Sequence, residues 1–378
     1  MRSVLHYGTA SMAGLLMCLS PVLGYELKDG AYQVFSSDDI QEAVNAAVTN
    51  TSVKTVEVHE GTYLPRHPGQ ALVYLNRKHD GVHLRGVGKV VLSAANPAVA
   101  KTTSAANPAI VNHVLYLGDG LSSNTVVEHF QLTGANHFVT TSAQHEMEPD
   151  ETLPKGRFYY GDGGAIKIYR RSYPVLRDLE IVDNYASPCA GGISIQQEGE
   201  TNGVVWIENC VFKNNRAEVT GGALDLLWGS SAYVTNCLFV GNLSNAGPGE
   251  GVNPFTNNGV VTVFPRSKCV MIRCTLIGNR NGVDDLSGLS EYRQSIFLGN
   301  QMEGGTPGQQ RFELDLQRGG KVEACVISGL VQERQHAPSM SGNLLNPAGF
   351  RLDADFVPQG PGFENIGYRP TRKGSISR

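Results

Sequence analysis

A seven-residue pattern of apolar and polar residues recurs along the middle of the chain. NCVFKNN (Asn209–Asn215) returns as NCLFVGN at 236–242, RCTLIGN at 273–279 and QSIFLGN at 294–300, with a fainter copy, DLEIVDN, at 178–184. In each copy the fourth residue is apolar, and a small or apolar residue lies two places before it. Because alternate side chains of a strand face the same side, the pattern predicts a short strand with one buried face.

The same register extends in both directions along the sequence. We number positions from the fourth residue of the heptad, which is position 0. Position 0 is occupied by Leu132, Ile181, Phe212, Phe239, Leu276, Phe297 and Ile327. A second apolar residue recurs at position −5, and a polar pair lies between the two at −4 and −3. Each repeat is therefore predicted to contain a first strand, a bend and a second strand.

A third short strand follows each heptad. It is visible as GGAIKIY at Gly163–Tyr169, GGISIQ at Gly191–Gln196 and GGALDLL at Gly221–Leu227, where apolar and polar residues again alternate. One repeat of three strands cannot bury its own inner face, but stacked repeats form parallel sheets around a continuous core. We therefore expect one all-β solenoid domain, although the intervals between repeats are irregular.

Two columns of side chains follow from this register. The asparagines that end the heptads are expected to lie at a tight turn, with left-handed backbone and with amides bonded to the repeats above and below. They are Asn184, Asn215, Asn242, Asn279 and Asn300. The cysteines at position −2 are expected to be buried free thiols, with disulfides between neighbouring repeats as the alternative. They are Cys210, Cys237, Cys274 and Cys325.

The segment before the repeats predicts an amphipathic helix and then a strand. SDDIQEAVNAAV (Ser37–Val48) contains Asp38 and Gln41 at the spacing of a capping box. Its apolar residues fall on one helical face. KTVEVHEGTY (Lys54–Tyr63) then alternates as a strand does.

These features together resemble the right-handed parallel β-helix proteins of the pectin-lyase-like superfamily, over about Tyr32 to Gly329. The GGA[IL] and FxxN pairs are also similar to the repeats of polymorphic outer-membrane proteins. The resemblance implies an all-β, single-stranded, right-handed parallel β-helix with an N-terminal capping α-helix. In catalytic members of the superfamily, the outer surface of the first strand usually forms the floor of the substrate groove.

The ends of the chain suggest export and a short tail. Arg2, the apolar run Gly14–Gly24 and the small residues near Gly24 read as a signal peptide at 1–24. That run is too short to cross a bilayer. A β-helix domain at 25–330 and an irregular C-terminal cap or tail at 331–378 complete the predicted organisation. The expected location is secreted or periplasmic, with no transmembrane segment in the mature chain.

Charge and motifs narrow the range of functions. There are 31 Lys and Arg residues against 35 Asp and Glu, a net charge of −4, so a nucleic-acid partner is not expected. The chain has no phosphate loop, HExxH or GxSxG motif, and the full motif set of polygalacturonase-like hydrolases is missing. VDD (Val283–Asp285) and IKI (Ile166–Ile168) are interpreted as turn and strand residues.

The candidate site is therefore sought on the outer side of the first strand and its bend. The candidate catalytic residues are Arg177, Asp178, Glu208 and Arg273, and the candidate substrate-binding residues are His129, Trp206, Tyr233 and Arg293. Trp206 and Tyr233 are expected to stack as neighbours and to suit sugar rings. A lyase needs cations and a base, whereas a hydrolase needs two carboxyl groups, for which Asp178 and Glu208 are candidates. Alternatively, the charges form solvated ion pairs of little energetic value.

The predicted function is binding, and cleavage by a lyase-like or hydrolase-like reaction, of an extracellular polysaccharide. The alternative is a non-catalytic, adhesin-like β-helix at the cell surface. Calcium is a candidate cofactor through the acidic insertion at His145–Glu151 together with Asp162. The sequence leaves the metal, the substrate and the oligomeric state open.

Overall fold

The protein is an all-β molecule built mainly from parallel sheets. The computed structural model describes residues 24–99, 109–136, 157–199, 203–246, 258–304, 310–333 and 336–371. Strands hold 44% of the residues and helices 5%, which confirms the predicted all-β class. The predicted signal peptide and the acidic insertion at 145–151 lie outside the described residues.

An N-terminal region precedes the regular repeats. It contains an antiparallel hairpin, a helix that we call α1, a single 3₁₀ turn and four longer strands. In chain order these are Glu26–Lys28 and Ala31–Val34, α1 at Ile40–Thr49, Thr55–Tyr63, Gly69–Leu75, the turn Arg77–His79, His83–Ser93 and Val111–Gly118. A second, five-residue helix lies at Arg157–Gly161.

The repeats contribute three strands each, as the pattern predicts. The first strands are Val126–Glu128, Val175–Arg177, Val205–Glu208, Ser231–Thr235, Lys268–Ile272, Glu291–Arg293, Lys321–Glu323 and Ser339–Ser341. The second strands are Gln131–Thr133, Glu180–Val182, Val211–Lys213, Leu238–Val240, Thr275–Ile277, Ile296–Leu298, Val326–Ser328 and Leu344–Leu345. The third strands are Ile166–Tyr169, Ile193–Gln196, Leu224–Leu227, Val261–Val263, Val283–Asp285, Leu314–Leu316 and Val331–Glu333. Two-residue strands at Tyr185–Ala186 and Arg216–Ala217 pair beside the second strands.

Each strand pairs in parallel with the equivalent strands of the neighbouring repeats. First and second strands belong to one twenty-stranded sheet, and third strands belong to a nine-stranded sheet that begins at Gly69–Leu75. Position 0 pairs with position 0 throughout, as in Ile181 with Phe212 and Phe212 with Phe239. Position −5 behaves in the same way, as in Leu176 with Ile207. The predicted register is confirmed by these pairings.

The core lies between the two sheets. Residues at positions −5, −2 and 0 are buried, and so are alternate residues of the third strands. Phe212 and Phe239 stack inside it with ring centroids 4.5 Å apart. Burial of such side chains contributes about 25 cal/mol per Å² of apolar surface, so the repeated apolar positions account for the stacking of repeats.

Helix α1 packs on this core with the face that the sequence indicates. Ile40, Ala43, Val44 and Ala47 are buried. The predicted capping box is wrong, however, because the N-cap is Asp39. Its carboxylate accepts from the backbone nitrogens of residues 41 and 42, whereas the preceding aspartate accepts from the backbone of residue 35.

The asparagines form a continuous ladder. Each Nδ2 donates to Oδ1 of the next asparagine at 2.7–3.1 Å, from Asn184 through Asn215, Asn242 and Asn279 to Asn300. The side chain of Asn300 donates to Glu313, which ends the ladder. All five amides are buried. This arrangement confirms the predicted bonding between repeats.

The position of the left-handed backbone differs from the prediction. The residue before each ladder asparagine has positive φ, namely Asp183 at 55°, Asn214 at 56°, Gly241 at 66°, Gly278 at 60° and Gly299 at 61°. The asparagines themselves do not adopt it. A second left-handed residue occurs at position −3, where φ runs from 48° to 64°. Two such residues per repeat turn the chain twice without lengthening it.

The described cysteines are buried free thiols. Cys210, Cys237, Cys274 and Cys325 occupy position −2, and Ser295 takes the place of a thiol between Cys274 and Cys325. The thiols donate to backbone carbonyls, as Cys237 Sγ does to the carbonyl of residue 235 at 3.3 Å. Burial raises the pKa of Cys237 well above its ordinary value.

The C-terminal segment first extends the sheets and then packs back against earlier repeats. Strands at Val331–Glu333, Ser339–Ser341 and Leu344–Leu345 continue the parallel pairing. The chain then turns back, and its residues 363–371 lie along the outside of earlier repeats. Tyr368 is buried there against Val211 and Leu238.

Candidate functional site

The first-strand face carries the predicted residues in the predicted order. Trp206 lies opposite Tyr233, and Arg177 lies opposite Glu208. Positions −6 and −4 alternate with buried position −5, so their side chains point away from the core. Arg293 lies three strands beyond Glu208, a distance of about 14 Å at the usual strand spacing.

Ion pairs link several charges on this face. Arg177 Nε lies 2.6 Å from Glu128 Oε2, and His83 Nε2 lies 2.8 Å from the other oxygen of Glu128. Burial opposes ionisation of Glu128, but His83 and Arg177 hold its pKa below the ordinary value. Arg293 contacts Glu291, which also bonds Lys268 at 3.0 Å. Two candidate arginines are thus engaged by carboxylates of the protein itself.

The aromatic pair stacks, as expected. The Trp206 and Tyr233 ring centroids are 4.8 Å apart with an interplanar angle of 16°. Trp206 is 37% exposed. Each ring covers one face of the other, so only the outer face and the edge of each ring remain. A sugar ring that stacks on a flat aromatic face therefore has less of this surface available than the sequence suggests.

The bends at position −3 bring together a different subset. His129 Nδ1 lies 3.7 Å from Asp178 Oδ2. Among the described residues, Glu128, His129 and Asp178 form the one group whose ligand atoms lie within 4.8 Å of one another, the spacing of a metal site. Arg273, also at a bend, is exposed three repeats beyond Asp178.

The eight predicted site residues therefore fall into separate groups. Arg177 joins the Glu128 ion pairs, His129 and Asp178 meet at a bend, Trp206 and Tyr233 form a stack, and Arg293 belongs to a distant ion pair. Their catalytic and binding roles remain predictions. Of these eight residues, His129 and Asp178 are an acid and a base within 3.7 Å of each other.

The third strands carry a column of polar residues that the sequence analysis did not single out. The column occupies the position that alternates with the core residues, and adjacent members are direct partners in the parallel sheet. We call this the third-strand column. Its members are Tyr74, Tyr116, Lys167, Ser194, Asp225, Thr262, Asp284 and Asp315. All eight are buried although they face away from the hydrophobic core.

Three carboxyl groups dominate one end of the third-strand column. Asp284 lies directly opposite Asp315, and Asp225 lies two strands away across Thr262. At a spacing of about 4.8 Å per strand, the backbones are about 5 and 10 Å apart. Gln317 Nε2 donates to Asp284 Oδ1 at 3.0 Å, and Thr220 Oγ1 donates to Asp225 Oδ2 at 2.7 Å.

Burial changes the protonation of these carboxyl groups. It raises the pKa of Asp284 well above its ordinary value, and the neighbouring charge of Asp315 adds to the effect. Burial also raises the pKa of Asp225 to about 7. Asp284 therefore keeps its proton to a higher pH than an exposed aspartate does, and Asp225 is divided between its two forms near pH 7. A carboxyl group that keeps its proton at neutral pH is able to act as a general acid.

A buried cation and aromatic rings occupy the other end of the column. Lys167 Nζ donates to Gln196 Oε1 at 2.7 Å and to Ser194 Oγ at 3.2 Å. Burial lowers its pKa to about 8. Tyr74 and Tyr116 stack beyond it at 4.4 Å.

The sequence does contain a signal for this column. ALDL, GVDD and ELDL place an aspartate one residue after the first core residue of three third strands. The insertions at His137–Asp162, Leu243–Gly259 and Gln301–Phe312 each end just before a third strand, not before a first strand. The connectivity thus associates the long insertions with the third-strand sheet. The VDD fragment (Val283–Asp285), interpreted from the sequence as turn residues, is one of these third strands.

Comparison with known proteins gives no family assignment. No helix in the described part of the chain is both long and apolar enough to cross a membrane. No family model matches the chain, and no curated protein or solved structure matches it significantly.

Proposed function

We propose that the chain is an exported right-handed parallel β-helix protein that binds a polysaccharide and hydrolyses it at the third-strand column. The observation that carries the proposal is the pairing of Asp284 with Asp315 on the third-strand column, which is buried but faces away from the hydrophobic core. The pectin-lyase-like resemblance of the repeats agrees with it. Fold alone does not determine activity, so the argument rests on these carboxyl groups.

The roles follow from the protonation states. Asp284 retains its proton and donates it to the glycosidic oxygen as the bond to the anomeric carbon breaks. Asp315 supports the positive charge that develops on the sugar ring. Water supplies the hydroxyl group of the new reducing end, and the proton that this water loses returns to Asp284. Neighbouring strands place the two backbones about 5 Å apart, so that both carboxyl groups belong to one stretch of the column.

The test is incubation with a panel of acidic and neutral polysaccharides. Hydrolysis releases reducing ends without absorbance from unsaturated uronate, whereas a lyase produces both signals. We expect Asp284→Asn and Asp315→Asn each to lower the rate by about 10² or more, because the proton donor or the carboxyl group beside it is lost. Glu323→Gln, at an exposed carboxyl on the first-strand face, is the matched control.

Two results would reject the proposal. One is the absence of product from every polysaccharide of the panel. The other is full activity in Asp284→Asn. A mainly unsaturated product would indicate that the reaction is elimination and not hydrolysis. The candidate catalytic residues would then be the arginines of the first-strand face and the group of Glu128, His129 and Asp178.

The alternative is a non-catalytic, adhesin-like protein that binds polysaccharide through its first-strand face. The specific observation in its favour is that Arg177 is held in an ion pair on the strand next to the exposed Trp206. Under this alternative, the protein co-sediments with an insoluble polysaccharide without cleaving it. Trp206→Ala then releases it, whereas Asp284→Asn does not.

A further inference from the structure

A pocket lies where the C-terminal tail meets the bends of three successive repeats. Its volume is about 330 Å³. His129, Asp178 and Asn209 line it from the three bends, and Glu180 and Lys89 line it from the neighbouring strands. The pocket is therefore on the opposite side of the repeat from the third-strand column.

The tail supplies one wall of this pocket. Tyr368 and Thr371 line it, and Thr371 Oγ1 donates to Asp178 Oδ1 at 3.2 Å. The tail is held by specific contacts as well. Arg369 N donates to Asn236 Oδ1 at 2.7 Å, and Asn236 Nδ2 donates to the carbonyl of Arg369 at 2.8 Å.

The tail fits closely against the second strands. Gly367 N donates to the carbonyl of Gln294 at 2.8 Å, and Tyr368 N donates to Thr275 Oγ1 at 2.9 Å. A Cβ on Gly367 would lie 2.2 Å from Cδ1 of Ile296, so only glycine fits there. These hydrogen bonds and this close packing hold the tail in one position, and the tail residues that line the pocket are therefore fixed in place.

The lining has the chemistry of a sugar site. Carboxylate and amide groups from Asp178, Asn209 and Gln131 can bond adjacent hydroxyl groups, and Asn209 is itself anchored by Asn236 at 2.9 Å. Tyr368, Val90 and Val211 give an apolar wall for the carbon–hydrogen face of a ring. Asp178 and Glu180 disfavour an acidic ligand.

We propose that this pocket binds one neutral sugar residue and that docking of the C-terminal tail completes the site. Binding and tail docking then stabilise each other by the same free energy. The site is separate from the third-strand column, so it exists whether or not the protein hydrolyses polysaccharide.

The experiment is titration of the full chain with glucose, galactose, mannose and N-acetylglucosamine, followed by ligand-observed NMR. Saturable binding of at least one sugar is expected. Asp178→Asn and Thr371→Val should each weaken it by about tenfold, through loss of an acceptor and of the bond to the tail. Deletion of residues 367–378 should abolish it.

Thr51→Val, at an exposed threonine far from the pocket, is the matched control and should bind as the unmodified chain does. Melting curves show whether the deletion variant is folded. If it is unfolded, the affinity of Thr371→Val tests whether the tail contributes to sugar binding. Failure of all four sugars to bind overturns the proposal. So does unchanged affinity in Thr371→Val together with Asp178→Asn. Hydrolysis is not read in this experiment, so its outcome is independent of the proposed reaction.

Discussion

At the scale of single residues, the buried asparagines of the ladder make hydrogen bonds that few other side chains could make. Asn215 Nδ2 bonds both Asn242 Oδ1 at 3.0 Å and the carbonyl of Ile181 at 2.8 Å. Asn215→Ala removes both bonds and leaves buried partners unsatisfied. We expect a loss of about 1–3 kcal/mol in the free energy of unfolding, measured by urea denaturation.

The neighbouring residue gives the control for this substitution. Asn214 is exposed with φ of 56°, and glycine holds the same place in the next three repeats. Asn214→Gly should therefore change stability by only a few tenths of a kcal/mol. If Asn215→Ala were equally neutral, the ladder would not stabilise the fold.

A second residue-scale expectation concerns the thiols. Because the six described cysteines are buried, a thiol reagent should not label them in the native chain. The same six should react after unfolding without any reductant. Disulfides between repeats would instead leave them unreactive until a reductant is added, which mass spectrometry of the labelled chain distinguishes.

At the scale of the element, the register of the strands could be predicted from the sequence, but the role of their outward-facing side chains could not. Each strand buries alternate residues, so apolar residues at −5, −2 and 0 determined every pairing from Leu132 to Ile327. The left-handed turn was misplaced by one residue, although Gly241, Gly278 and Gly299 mark it in the sequence. The aspartates of the third-strand column recur in the sequence, but the pattern does not tell a solvated charge from a buried carboxyl group.

The tail illustrates a second limit at this scale. Asn236 and Arg369 are 133 residues apart, and nothing local to either predicts their contact. The apolar residues at position −1, such as Val211, Leu238 and Ile296, do indicate that something covers the second strands. They do not indicate which segment does so.

The exchange of a thiol for a hydroxyl tests how the second strand tolerates change. Ser295 already occupies the cysteine column, where its hydroxyl donates to the carbonyl of Arg293 at 2.8 Å. Cys237→Ser should thus be tolerated at a cost below that of Phe239→Ala, for which 3–5 kcal/mol is usual in cores. Melting temperatures of the two variants provide the comparison. A larger loss for Cys237→Ser would mean that the thiols pack in a way that a hydroxyl cannot replace.

At the scale of the whole molecule, buried carboxyl groups make stability depend on pH. The pKa of Asp225 rises from 3.8 to about 7 on folding, so the folded state binds this proton more tightly. Its contribution is complete below about pH 4 and is lost as pH rises towards 7. Since a pKa change of one is worth about 1.4 kcal/mol, the loss is on the order of 4 kcal/mol.

Asp225→Asn isolates this contribution. The variant carries no ionisable group at the position, so its free energy of unfolding should fall less than that of the unmodified chain between about pH 4 and pH 7. Urea denaturation at several pH values measures the difference. Parallel curves for the two proteins would contradict the assignment of a raised pKa to Asp225.

The end of the asparagine ladder at Glu313 bears on how such a chain can lengthen. Every ladder amide needs an oxygen from the repeat that follows, and Glu313 supplies the last one with both carboxylate oxygens. If a duplicated repeat were inserted between Asn215 and Asn242, its asparagine could accept a hydrogen bond from Asn215 and donate one to Asn242. The same repeat added after Glu313 would meet a carboxylate already occupied by Asn300. Growth by internal duplication is therefore favoured over growth at the end.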